Sequence, residues 1–158
     1  MAIILTSKGE EILIDDADYE LVSKWTWRII GKGYAARSVY DKTKLSRRTN
    51  EYLHRMLMGL TDGDGASVDH INGNRLDNRR ANLRLCTIRQ NAWNSKVRSH
   101  NKTGLKGVLW DKRRGKWMAY IKVDGKQRYL GLFATAQMAH DAYCSAATQH
   151  FGEFAREN

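Results

Sequence analysis

Short apolar runs separated by turn residues mark the first sixty positions. Ile3-Ile4-Leu5 and Ile12-Leu13-Ile14 flank Ser7-Lys8-Gly9, which predicts a β-hairpin over residues 2–14. Asp15, Asp16 and Asp18 then precede Tyr19, Leu21 and Val22, a spacing that predicts a short helix capped by carboxylates. An acid triplet can also hold a metal, but capping is the simpler use. Residues 23–30 and 34–40 predict two strands around Gly31-Lys32-Gly33, with Trp25 and Trp27 on one core-facing side. Positions 41–48 predict a polar loop. Residues 52–58 predict a helix that buries Leu53, Met56 and Leu57 and stops at Gly59. His54 on that helix reads either as a structural histidine or as one that reaches a phosphate.

The central pattern changes character. Val68–Ile71 predicts a strand, and Asn72-Gly73-Asn74 breaks it. A polar turn over residues 76–80 leads to a returning strand, Asn82–Cys86, with Leu83 and Leu85 toward the core. Thr87 and Gln90 have the spacing of a capping box, so a helix begins near Ile88 and carries Asn91 in its second turn. Strand, loop, strand and helix bring Asp69, His70 and Asn91 together from distant positions. A carboxylate beside an imidazole, with amide oxygens nearby, can hold a hard cation and a water against a phosphate. Taken singly, the same residues are turn formers and a surface histidine.

After a polar linker, three strands are predicted over residues 105–110, 116–123 and 126–133, the last two joined by Asp124-Gly125. Trp117, Ala119, Ile121 and Val123 alternate with Lys116, Met118, Tyr120 and Lys122. A helix over 135–150 places Ala139, Ala142, Tyr143, Ala146 and Ala147 on one stripe, suited to lie on the Trp117 face. The fold class is therefore α+β: an N-terminal β-rich element (1–50), a central unit (51–97) and a sheet-plus-helix module (98–158). His140 and His150 read as structural or exposed.

Charge sharpens the picture. The 158 residues carry 27 Lys and Arg against 17 Asp and Glu. Residues 96–158 hold 12 of the basic and 5 of the acidic groups, a local excess that attracts a polyanion such as nucleic acid. Cys86 and Cys144 stand apart with no Cys-x-x-Cys, which argues against a zinc site or disulfide framework and suits a reducing cytoplasm. No apolar run reaches membrane-span length, and the first residues lack the basic region of a secretory signal.

Asp69-His70, Asn82 and Asn91, within VDHINGNRLDNRRANLRL, resemble the ββα-metal nuclease motif of phage-type HNH homing endonucleases in its His-Asn-Asn form. The likeness covers about residues 53–95. It implies that Asp69 and Asn91 bind one divalent cation, Mg²⁺ or Mn²⁺, and that His70 is the general base. It implies that Asn82 braces the loop and orients His70, and that the products are a 5′-phosphate and a 3′-hydroxyl. Residues 104–154, with Gly115-Lys116-Trp117 and Tyr129-Leu130-Gly131, resemble the Apetala-two/ethylene-response-factor DNA-binding domain. That likeness implies that Lys106, Arg113, Arg114, Lys116, Tyr120, Lys122, Gln127 and Tyr129 face double-stranded DNA. Leu109 and Tyr120 replace the arginine and glutamate of plant members, so base preference does not carry over. One nuclease motif implies one cut strand per chain, by a monomer or a homodimer, in a host cytoplasm if the gene is phage-borne. A non-catalytic DNA-binding regulator with a vestigial core, and an RNA-binding protein, are the rival readings.

Overall fold

The computed structural model describes residues 1–40, 48–61, 63–97 and 101–156. They form two compact units, Met1–Asn91 and Ala92–Asn158, and the boundary falls within one helix.

The first unit opens with the expected hairpin, β1 (Ala2–Leu5) against β2 (Glu11–Ile14), closed by Gly9 at a positive φ. Asp16–Asp18 forms a 3-10 turn that leads into α1 (Tyr19–Val22). No carboxylate caps either element. Asp15 Oδ2 instead accepts from the Arg80 backbone N–H at 2.8 Å, and Asp18 pairs with the Arg80 guanidinium. Both carboxylates are committed to Arg80, more than sixty residues away, through its backbone N–H and its guanidinium, rather than to the local amides.

The strand expected over 23–30 is shortened to β3 (Arg28–Ile30). Without a ladder at residues 23–27, Trp25 and Trp27 do not share a face. Trp27 is 1% exposed, while Trp25 is 49% exposed with the Arg37 guanidinium 3.8 Å above its ring. β4 (Tyr34–Tyr40) pairs with β3 and with β5 (Arg48–Tyr52), a strand the pattern did not predict. Positions 41–47 of the expected loop lie outside the described residues. α2 (Leu53–Leu57) buries Leu53 and Leu57 and part-buries Met56. Gly59, at φ +70°, ends the turn.

β6 (Ser67–His70) pairs antiparallel with β7 (Leu83–Cys86), and α3 (Ile88–Trp93) follows. Ile12, Ile14, Val22, Trp27, Leu53, Leu57, Val68 and Leu83 make one shared core. The N-terminal hairpin therefore packs into the same interior as the β6–β7 hairpin. Leu85 departs from expectation: it is 51% exposed at the open end of β7.

The second unit is the sheet β8 (Val108–Asp111), β9 (Lys116–Val123) and β10 (Lys126–Phe133), with β9 central. Asp124 and Gly125 both take positive φ at the β9–β10 turn, as a two-residue hairpin requires. α4 (Ala136–Phe151) starts at Thr135, whose Oγ1 accepts from the Met138 N–H. Its Ala139, Ala147 and part-buried Tyr143 pack on Val108, Ala119 and Ile121. Within the described residues no helix is long and apolar enough to cross a membrane.

Candidate active site and nucleic-acid interface

Successive residues of a strand point to opposite sides, and β6 uses this to separate Asp69 from His70. Asp69 lies opposite Arg84 in the β6–β7 register. Arg84 Nε and Nη2 donate to Asp69 Oδ2 at 3.0 and 2.7 Å. Both side chains are largely buried, and Asp69 is 4% exposed. Cys86, two residues beyond Arg84, occupies the same side. Burial first, and the Asp69 charge second, push its thiol up to about 11. The backbone N–H of Asn91 reaches the Cys86 sulfur. Asp69 and the start of α3 thus border the same cysteine.

The capping box that starts α3 is present. Thr87 N–H donates to Gln90 Oε1 at 2.8 Å, and Gln90 N–H to Thr87 Oγ1 at 3.2 Å. These bonds fix the helix phase, and hence the place of Asn91.

His70, 3% exposed, faces a ring cluster. Its ring centroid lies 5.2 Å from that of His54 and 6.0 Å from that of Tyr34. Tyr52 adjoins His54 and Tyr34. Asn78 Oδ1 sits 3.4 Å from His70 Nε2, while Asn78 Nδ2 donates to the Arg75 carbonyl at 3.3 Å. That second bond turns the amide oxygen toward the imidazole, an arrangement that favours the tautomer protonated at Nε2. Burial pulls the His70 pKa below its ordinary value, opposed by Asn78 and by the Asp69 charge. The ring is therefore neutral at pH 7.

Asn82 holds the connecting loop. Its Oδ1 accepts from the Asn72 N–H at 3.0 Å, and its Nδ2 donates to the Asp77 carbonyl at 2.7 Å. Asp77, itself buried, accepts from Arg79 and Asn72. Arg79 foremost keeps its carboxyl below the ordinary range. The loop is also tied to β2: Leu13 N–H donates to Leu76 O, and Asn78 N–H to Leu13 O.

Three neighbours of His70 were not singled out by sequence reasoning: Tyr34, Asn78 and Arg75. Asn78 looked like one more turn residue. Tyr34 sits on a separate strand, and no local pattern marks it. His54, left open between two roles, is 7% exposed, and its Nδ1 is buried with no hydrogen-bond partner. Burial first, then the His70 and Arg55 charges, push its pKa down to about 3.

Among the described residues no group of three His, Cys, Asp or Glu side chains is placed to hold a metal. The side chains assigned to a cation, those of Asp69 and Asn91, are a carboxylate and an amide, both hard oxygen ligands. They fit a Mg²⁺-like cation that keeps several waters, and Asp69 already faces positive charge from Arg84.

In the second unit the outward side of the sheet carries Lys116, Tyr120 and Lys122 on β9, opposite Asp111, Tyr129 and Gln127 respectively. Lys116, Lys122, Gln127, Tyr129 and Arg113 are exposed. Arg114 pairs with Asp111 at 3.0 Å. Lys106 is turned away from solvent: its Nζ lies 2.9 Å from the Arg156 carbonyl and 3.5 Å from that of Trp93. His140 is structural, with Nδ1 3.1 Å from the Lys106 carbonyl.

Two family models match: residues 51–93 match that of an HNH endonuclease, and residues 103–153 that of the AP2 domain. The chain is 36% identical over 92 residues to Protein 3.8 of Escherichia phage T7, covering 58% of this chain and 75% of that protein. The chain belongs to the HNH endonuclease family. A second relative, an uncharacterized HNH endonuclease of Acanthamoeba polyphaga mimivirus, is 28% identical over 151 residues, covering 96% of this chain and 76% of its own. No solved structure matches. HNH nucleases generally use a divalent metal, and here the HNH match spans β5 to α3 and so contains Asp69, His70, Asn82 and Asn91.

Proposed function

We propose that this HNH protein is a metal-dependent endonuclease that binds double-stranded DNA and hydrolyses one phosphodiester per chain. The observation that carries the reading is the buried, neutral His70, oriented by Asn78 and adjacent in sequence to Asp69. Asp69 and Asn91 would hold one Mg²⁺ or Mn²⁺, which when bound would offset charge on the phosphate and on the departing oxygen. His70 Nδ1 takes a proton from a water whose oxygen bonds to phosphorus. The bond to the 3′ oxygen breaks, and that oxygen takes a proton from solvent. A 5′-phosphate and a 3′-hydroxyl result. Asn82 holds the loop that carries Asn78, and so acts on His70 indirectly.

Residues 98–158 supply DNA affinity through Arg113, Lys116, Tyr120, Lys122, Gln127 and Tyr129, on a sheet face of the kind the major groove admits. A single motif nicks; a double-strand cut needs two chains or two events. Viral relatives support a homing endonuclease acting in a host cytoplasm.

One observation favours a second reading. Arg84 already neutralises Asp69, which suits a DNA-binding regulator that no longer cuts. Supercoiled plasmid incubated with protein and Mg²⁺ or Mn²⁺ separates the two. Nicking that EDTA abolishes, leaving ends that ligase reseals, supports the nuclease. Binding without nicking in either metal supports the regulator.

A further inference from the structure

Four arginines, Arg75, Arg79, Arg80 and Arg84, border the loop and turn that join β6 to β7. Three are tied to carboxylates: Arg79 to Asp77, Arg80 to Asp18 and Arg84 to Asp69. Arg75 is not. Its Nη1 donates to the Lys32 carbonyl at 2.8 Å, and its guanidinium lies 4.9 Å over the ring of Tyr34. The residue is exposed.

Its position relates it to the imidazole in two ways. Tyr34, on which it rests, contacts the rings of His70 and His54. Asn78, which orients His70, also holds the Arg75 backbone carbonyl. A cation held on an aromatic face keeps its donors in a fixed plane at little entropic cost. A carbonyl is a weaker partner than a carboxylate, so a phosphate can displace it with a gain in charge-assisted hydrogen bonding.

We propose that Arg75 binds the scissile phosphate of duplex DNA, with Tyr34 as the platform that aims it. This rests on the nuclease reading above and names a substrate contact within the same site. Arg75 grips the non-bridging oxygens, where charge builds as water adds, while His70 takes the proton.

The test uses full-length protein with supercoiled plasmid for nicking, and a labelled duplex for binding across a salt series. Arg75→Ala is expected to slow nicking by about 100-fold, as loss of one charge-stabilising donor does. The same change should lower the salt slope of duplex binding by about 1, the mark of one lost phosphate contact. Arg75→Lys should restore the slope but not the rate, because a point charge lacks the planar fork. A fall in rate with an unchanged slope overturns the proposal, since Arg75 then acts only by steadying Tyr34. A lower slope at wild-type rate also overturns it, placing the contact on a flanking phosphate. If the wild type nicks nothing, the nuclease reading fails by itself, and the slope of Arg75→Ala decides whether Arg75 touches phosphate at all.

Discussion

Arg84 stands directly across the hairpin from Asp69, and two of its nitrogens share one carboxylate oxygen, Oδ2. The pair is nearly dry. Removing one partner of such a pair leaves an uncompensated charge, at a cost of about 3 kcal/mol or more. Arg84→Gln is therefore expected to lower the melting temperature in EDTA. Added Mg²⁺ should recover part of the loss if the Asp69 carboxylate, no longer paired with Arg84, holds the cation. Thermal unfolding with and without Mg²⁺ measures both. A variant as stable as wild type in EDTA would show that the pair contributes nothing.

His54 gives the fold a pH dependence. Its pKa is about 3 in the folded chain against about 6.5 in an unfolded one. Between those values the unfolded state binds the extra proton, so stability falls as pH drops from about 6.5 toward 3. Each unit is worth about 1.4 kcal/mol, so the loss reaches several kcal/mol at the acid end. His54→Phe should flatten this part of the curve of melting temperature against pH. Unchanged steepness would assign the acid sensitivity to other groups.

The parts of the site legible in sequence are those set by local chemistry. Thr87 and Gln90 mark the start of α3, and Asn72-Gly73-Asn74 marks the end of β6, because capping and turn preferences act over a few residues. β5 was missed because Arg-Thr-Asn-Glu-Tyr has no apolar alternation; β4 supplies its register from outside. Trp25 departs from expectation because no ladder runs across residues 23–27, so strand alternation does not hold there. The bonds from Arg80 to Asp15 and Asp18, and the stacking of Tyr34 near His70, join distant segments. No window of local pattern contains them.

Close packing in the second unit makes Gly107 sensitive. It sits at φ +69°, and a Cβ there would lie 2.2 Å from Tyr143 Cδ2 and 2.6 Å from the Tyr120 carbonyl oxygen. The backbone oxygen cannot swing aside as a flexible side chain could. Gly107→Ala should destabilise this unit by at least about 2 kcal/mol, seen as a lower denaturant midpoint. A midpoint within error of wild type would mean that α4 can move off the sheet freely.

Two lysines of the same unit should behave differently. Lys122 is exposed on the outward sheet face, whereas Lys106 is committed to main-chain carbonyls. Lys122→Ala is expected to lower the salt slope of duplex binding by about 1. Lys106→Met should leave that slope unchanged and reduce stability. The reverse result would place Lys106, not Lys122, on DNA.

The proton-accepting role of His70 is the claim on which the reaction depends. The most direct measurement is the single-turnover nicking rate of wild type and His70→Ala, in Mg²⁺ or Mn²⁺, at protein concentrations that saturate the DNA. Loss of a general base predicts a fall of about 1,000-fold with duplex affinity retained. A His70→Ala protein that nicks at the wild-type rate would contradict the account.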